Sequence, residues 1–201
     1  MRGKAKILIE RKQDFLGSTP LDSNIFTATG TATYNGLDLC LEGNPCGIAT
    51  CPFDMNKITI AEFSLGNIYT VADAILSLSL ATENGLYGIT VTSADCNSNA
   101  NALVETKCKT RMNGADSALS VLLPKHNISG QRNKYYCVSM RIDKNLNRLT
   151  ILSNGQELGH KTLSAVLMNN LSESHFTASW TAETQEAASI QIGQLALKLW
   201  Y

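Results

Sequence analysis

The sequence predicts an all-β fold, an antiparallel two-sheet sandwich, from three observations. Apolar and polar residues alternate with a period of two along many short segments, as half-buried strands require. Asn-Gly pairs fall between those segments, where hairpins turn. No helical period dominates any long stretch. The 201 residues show no break in composition, internal repeat, charge block or low-complexity tract. One domain over 1–201 is therefore expected, with 1–14 as a peripheral N-terminal segment.

Taken in order, a first strand is expected at Lys6–Glu10. Phe26, Ala28, Gly30, Ala32 and Tyr34 then fall on one face, with Thr27, Thr29, Thr31 and Thr33 on the other. Asn35-Gly36 follows, and Leu37, Leu39 and Leu41 resume the alternation. This is the signal of a type I′ hairpin, whose two central residues both need positive φ. Lys57–Leu65 reads as a strand. Leu76, Leu78 and Leu80 lead to Asn84-Gly85, and Tyr87, Ile89 and Val91 continue beyond it. Ala118–Leu123 is a further strand. Tyr136, Val138, Met140 and Ile142 alternate up to the polar turn Lys144–Asn147, and Leu149 and Ile151 start the return, which ends at Asn154-Gly155. Spacing predicts a short helix over Ser164–Leu171. Phe176, Ala178 and Trp180 form a strand that puts Trp180 in the core. Ile190 and Ile192 change phase to Leu195, Leu197 and Leu199 after Gly193-Gln194, which predicts a bulge. Gly43–Asp54, Ser93–Asp116 and Lys125–Lys134 are the expected loops.

The 17 basic and 17 acidic residues cancel. A protein held to nucleic acid by phosphate contacts needs a basic surplus, so nucleic acid is not an expected partner. No apolar run approaches the roughly 20 residues of a membrane span. Ser, Thr and Asn make up about a quarter of the chain while charged residues are 17%, a hydroxyl- and amide-rich surface common in extracellular β proteins. Six cysteines, Cys40, Cys46, Cys51, Cys96, Cys108 and Cys137, suggest up to three disulfides, and their spacing fits no zinc site. Asn127-Ile-Ser129 and Asn170-Leu-Ser172 match the glycosylation pattern. These features predict an extracellular, cell-surface or virion-surface location. The N-terminus, with only Ile7 to Ile9 as an apolar stretch, is no signal peptide.

The stretch YYCVSMRIDKNLNRLTILSNGQEL resembles a segment of concanavalin A-like and laminin-G-like jelly rolls. It has a charged residue in mid-strand (Arg141), an Asp at its end (Asp143), a polar turn (Lys144–Asn147) and a return strand closed by Asn154-Gly155. HFTASWTAETQEAASIQIGQLALKLWY resembles the closing strands of that superfamily, the last of which pairs near the N-terminus. Residues 135–201 carry the pattern most clearly, and 15–201 follow the layout. The resemblance implies a concanavalin A-like jelly-roll sandwich. It also implies binding of glycans or glycoproteins, with glucanase activity in some members.

The residues themselves give little chemistry. The superfamily's glucanase motif E-x-D-x-x-E is absent. Glu183 and Glu186, three apart, would point to opposite faces if they lay on a strand and then could not flank one glycosidic bond, whereas in a loop spacing alone does not exclude them; the pair is read as part of a solvated polar loop. No nucleophile elbow or phosphate loop occurs, and His126, His160 and His175 are scattered. Lys107, Lys109 and Arg111 form a small basic cluster, read as solvated surface. Asp95, Asn97 and Asn99 alternate like the first ligands of a Ca²⁺ loop, but Ala100 replaces the turn glycine and Glu105 falls one place short of the bidentate position. They are therefore candidates for an irregular, weak Ca²⁺ site or for sugar contacts, with Glu105 as a further ligand. Tyr135 is the candidate surface aromatic.

The resulting expectation is a lectin-like adhesion module that binds a glycan or glycoprotein and performs no catalysis. The alternative is a structural subunit of a filament, coat or virus particle, acting through self-association or contact with neighbouring structural proteins. A glycan-cleaving enzyme of the same fold ranks last.

Overall fold

The computed structural model describes residues 7–15, 20–56, 58–70, 75–94, 103–127, 136–153, 155–172, 175–183 and 188–200. Their strands are β1 (Ile7–Asp14), β2 (Phe26–Tyr34), β3 (Leu39–Thr50), β4 (Phe53–Asp54), β5 (Ile60–Thr70), β6 (Ile75–Thr82), β7 (Gly88–Ala94) and β8 (Leu103–Met112). They continue with β9 (Ala115–Asp116), β10 (Ser120–Asn127), β11 (Tyr136–Asp143), β12 (Arg148–Ser153), β13 (Gln156–Thr162), β14 (His175–Glu183) and β15 (Ala188–Trp200). One helix, α1 (Ala165–Ser172), precedes β14. Its first turn is capped by Ser164, whose Oγ accepts from the Leu167 amide at 3.2 Å.

All strand pairs are antiparallel. The first sheet runs β10-β8-β7-β6-β14-β3 and the second β3-β15-β5-β11-β12-β13, so β3 belongs to both. Its second half pairs with β14 (Ile48 opposite Trp180), and its first half pairs with β15 (Leu41 opposite Ile190). The crossing point is Gly43–Cys46. There the register with β2 slips, from Thr29 opposite Gly47 to Thr31 opposite Glu42. Gly30 faces this corner at φ +92°, and a side chain on it would run into the Glu42 carbonyl and the Cys46 Cβ. Glycine is the residue that meets both demands.

The expected loop at Gly43–Asp54 is therefore corrected: β3 continues to Thr50, because Gly43 and Pro45 bend the strand without ending it. Within the expected loop Ser93–Asp116 lie β8 and β9. The expected loop at Lys125–Lys134 begins inside β10. The β2–β3 hairpin exists, but its turn is not type I′. Gly36 alone has positive φ (+93°) among its turn residues, and the Asn35 side chain accepts from the amides of Leu37 (2.9 Å) and Asp38 (2.8 Å). The bulge expected at Gly193-Gln194 is also corrected. β15 holds one register with β5 from Ile190 to Trp200. What changes at Gly193 is the other neighbour, β3 before it and β1 after it.

Leu78, Leu80, Ile89, Val91 and Cys108 from the first sheet meet Phe63, Leu65, Met140, Ile142, Leu195 and Leu197 from the second in one buried core. A gap of about 10 Å³ remains between the layers, lined by apolar side chains including Phe63, Leu80, Met140 and Leu197. A site that apolar does not hold a water. At the far edges, the Lys161 ammonium of β13 donates to Ser120 Oγ of β10 at 2.7 Å.

Candidate functional site

Because strand residues alternate between faces, burying one face of the first sheet commits the other to solvent. Leu78 and Leu80 of β6, Ile89 and Val91 of β7, and Thr106 and Cys108 of β8 are buried. The outer positions in between are Thr177, Ser179 and Thr181 on β14, Ser77, Ser79 and Ala81 on β6, Gly88, Thr90 and Thr92 on β7, and Lys107, Lys109 and Arg111 on β8. Register sets them in rows. Ser179 lies opposite Ser79, which lies opposite Thr90, which lies opposite Lys109. The next row is Thr181, Ser77, Thr92 and Lys107. Hydroxyls meet across strands, Ser79 donating to Thr90 at 3.1 Å and Ser77 lying 3.2 Å from Thr92.

A depression of about 180 Å³ lies on this face, lined among others by Ser79, Ala81, Gly88, Thr90, Lys109, Arg111 and Asp116. Ala81 and Gly88 are paired and form its low floor. A Cβ at Gly88 would stand 3.0 Å from the Leu80 carbonyl, so the floor admits nothing larger there.

Asp116 reaches this site through a turn. Asn113 (φ +51°) and Gly114 (φ +81°) form the positive-φ pair of a tight hairpin, and Asp116 falls opposite Arg111. The Tyr87 hydroxyl donates to Asn113 Oδ1 at 2.6 Å and the Gly114 amide donates to the Leu86 carbonyl at 2.9 Å, anchoring the hairpin tip. Arg111 Nε then donates to Asp116 Oδ1 at 2.6 Å and Lys109 Nζ to Oδ2 at 2.7 Å. The hydrogen bond from Arg111, then that from Lys109, lowers the carboxyl to about 2. At neutral pH Asp116 is ionised and donates no proton.

Asp95, Asn97, Asn99 and Tyr135 fall outside the described residues, as does Cys96. Glu105 belongs to β8 and pairs with Ala94, and Asn127 ends β10 opposite Leu103. Asn170 lies in α1, where its side-chain amide donates to the Val166 carbonyl at 2.8 Å. Cys137 lies in β11. The disulfide expectation is corrected for Cys40, Cys46, Cys51 and Cys108, which are free thiols. Cys46 is buried at the corner, Cys108 is buried on the inner side of β8, and Cys51 Sγ lies 3.6 Å from the Ser23 carbonyl, its hydrogen-bond acceptor. Among the described residues no three His, Cys, Asp or Glu side chains converge as a metal site. Among the described residues no helix is long and apolar enough to cross a membrane.

The resembling segment holds its predicted shape. β11 and β12 flank the turn, where Asp143 Oδ1 accepts from the amides of Asn145 and Leu146 at 2.9 and 3.2 Å. Arg141 pairs with Glu62 of β5 at 2.6 Å, and β15 pairs with β1. Solved structures share this architecture. An apo Crh5 transglycosylase matches with a TM-score of 0.62 and 9% identity, over 94% of this chain and 83% of its own. The fold is a concanavalin A-like jelly roll. This jelly roll also matches the Bacillus licheniformis beta-glucanase, with a TM-score of 0.59 and 8% identity over 98% and 99% of the two chains. A glycoside hydrolase family 16 endo-glucanase from Bacteroides ovatus, in complex with G4G3G-2F-DNP, matches with a TM-score of 0.61 and 12% identity over 92% and 98%. No family model matches the sequence, and no curated protein does.

These matches correct the functional expectation. Proteins sharing this jelly roll over nearly its whole length are a transglycosylase and glucanases, and the expectation of a non-catalytic lectin-like or structural module gives way. At 8 to 12% identity the likeness is one of fold.

Proposed function

We propose that this protein is a polysaccharide-active enzyme that takes its substrate across the outer face of the first sheet. The observation that carries the reading is the depression over Ala81 and Gly88, set among rows of serine and threonine hydroxyls. An extended sugar chain presents hydroxyls along its length, and a flat, hydroxyl-lined sheet offers donors and acceptors at regular spacing. The enzymes that share the jelly roll supply independent support.

The chemistry of the face sets a condition on the mechanism. Glycosidases place two carboxyl groups about 5–5.5 Å apart for retention or about 6.5–9.5 Å apart for inversion. At the outer positions of β6, β7, β8, β9 and β14 the acidic residues are Glu105, Asp116 and Glu183, and Asp116 is bound to two cations. Glu105 and Glu183 stand near one transverse row, but β6 and β7 separate their strands, a distance of about 14 Å at the usual strand spacing. These strands therefore bind and orient substrate, and the proton donor comes from another element.

Product analysis on a panel of β-glucans and galactans tests this. New reducing ends or transfer products are expected from the native protein. They should be lost in Ala81→Leu, which fills the depression from a solvent-facing position. No product from any polysaccharide, or undiminished product from Ala81→Leu, would overturn the reading.

A further inference from the structure

We propose that the edge strand β2 pairs antiparallel with β2 of a second copy of this chain, forming a two-fold symmetric dimer. The inference is independent of the polysaccharide reading. Among the described residues β2 pairs with β3 alone, so its other side presents backbone amides and carbonyls to solvent. Thr27 through Thr33 are all exposed, while Phe26 and Tyr34 at the two ends turn to the core. Proteins guard such edges with charges, proline or short length. The other described strands longer than two residues that pair on one side only are β1, β10 and β13. β1 carries Arg11 and Lys12, β10 carries Pro124 and Lys125, and β13 carries Glu157 and Lys161. β2 spans nine residues and has neither charge nor proline.

The order of residues along this edge selects a second copy as its occupant. Thr27-Ala28-Thr29-Gly30-Thr31-Ala32-Thr33 reads the same in both directions about Gly30, and an aromatic residue flanks each end. Antiparallel pairing sets a strand against its own reverse. A two-fold axis at Gly30 therefore places Thr27 opposite Thr33, Ala28 opposite Ala32 and Thr29 opposite Thr31, the self-complementarity that a two-fold interface requires. The faces agree as well. Ala28 and Ala32 lie beside the buried Ile48 and Leu41, and the four threonines lie beside the residues between, from Cys40 to Ala49, on the outer side. Threonine meets threonine across the strands, a favourable pair, and no like charges meet. The bend at Gly30 falls on the axis, so the bends of the two strands coincide and each arm keeps its register. Thr27 and Thr29 border the half of β3 in the first sheet, and Thr31 and Thr33 border the half in the second. The dimer thus joins the first sheet of each protomer to the second sheet of its partner, by strand addition at a sheet edge.

Sedimentation of the native protein from micromolar to millimolar concentration tests the proposal. One strand pairing buries less than a standard interface of about 1,600 Å², so a reversible dimer is expected, its average mass approaching twice that of the chain as concentration rises. Thr27→Lys with Thr33→Lys sets like charges opposite each other in both arms, and so does Thr27→Glu with Thr33→Glu. Each double variant should dimerise about tenfold or more weakly than the native chain, and an equimolar mixture of the two should regain the dimer. The neighbours of these positions on β3 are Ala49 and Cys40, so neither variant meets a charge directly across its own sheet, and a thermal melt checks that each is folded. A native protein that stays monomeric, a double variant that dimerises like the native chain, or a mixture that remains monomeric would overturn the proposal. In the first case hydrogen exchange identifies the other occupant. Protected amides on the outer side of β2 would point to a segment of this same chain, and unprotected ones to a different protein.

Discussion

Asp116 shows how one side chain can reveal a site. Its carboxyl is lowered to about 2 by the hydrogen bonds from Arg111 and Lys109, against about 3.9 for a free aspartate. A depressed folded-state value stabilises the folded form above the unfolded value, and that contribution is lost as pH falls from about 4 through about 2. The Asp116 carboxyl carbon resonance is therefore expected to titrate near 2, and a midpoint near 4 would mean that the two cations do not hold it. Half of this cluster was legible in the sequence. Lys107, Lys109 and Arg111 stand two apart, so any strand through them puts all three on one face. The other half was hidden. Asn113-Gly114 is a hairpin signal, but β9 is only two residues long and gives no alternation to confirm it. The hydroxyl face was hidden for another reason: Ser79 and Thr90 are ordinary strand residues until register brings them together.

Elements were legible where alternation was unbroken and illegible where the backbone bent. β2, β6, β11, β12 and β14 follow from period-two patterning. β3 does not, because Gly43 and Pro45 interrupt the pattern at the corner where the strand changes sheets. β8 reads as a loop because small and polar residues, Thr106 and Cys108, occupy its buried side. The phase change at Gly193 signals an exchange of neighbours, information that no single strand carries. The corner makes a sharp prediction. Gly30→Ala combines a positive φ with a steric clash against backbone and should cost about 2–4 kcal/mol in urea unfolding. Gly36→Ala has a similar φ but open space around it, and should cost about 1–2 kcal/mol. Equal losses at the two sites would mean that the corner does not crowd Gly30.

For the whole molecule, the sandwich class was legible but the sharing of β3 was not, since alternation says which side is buried and nothing about which strand lies alongside. The closed sandwich also controls its thiols. Cys46 and Cys108 have no exposed surface, and burial pushes both thiols up from their ordinary value. Alkylation needs both access and thiolate. Peptide-resolved labelling of the native protein should modify Cys51 well before Cys46 and Cys108, which should react at the rate of global opening. Fast labelling of Cys46 would show that the corner opens on its own.

β15 has a consequence for how the molecule comes into being. It lies in the middle of the second sheet, between β5 on one side and β3 and β1 on the other. Its partners are distant in sequence: Leu199 meets Ile9, and Ile192 meets Leu39. Chains dominated by such non-local pairing fold in milliseconds to seconds, slowly for their size. During synthesis, β1, β3 and β5 emerge from the ribosome long before residues 188–200 can separate and satisfy them. Until then Leu39, Leu41, Phe63 and Leu65 belong to unpaired strand edges, which invite association with other chains. The nascent protein is thus most exposed to such association until residues 188–200 are made and paired.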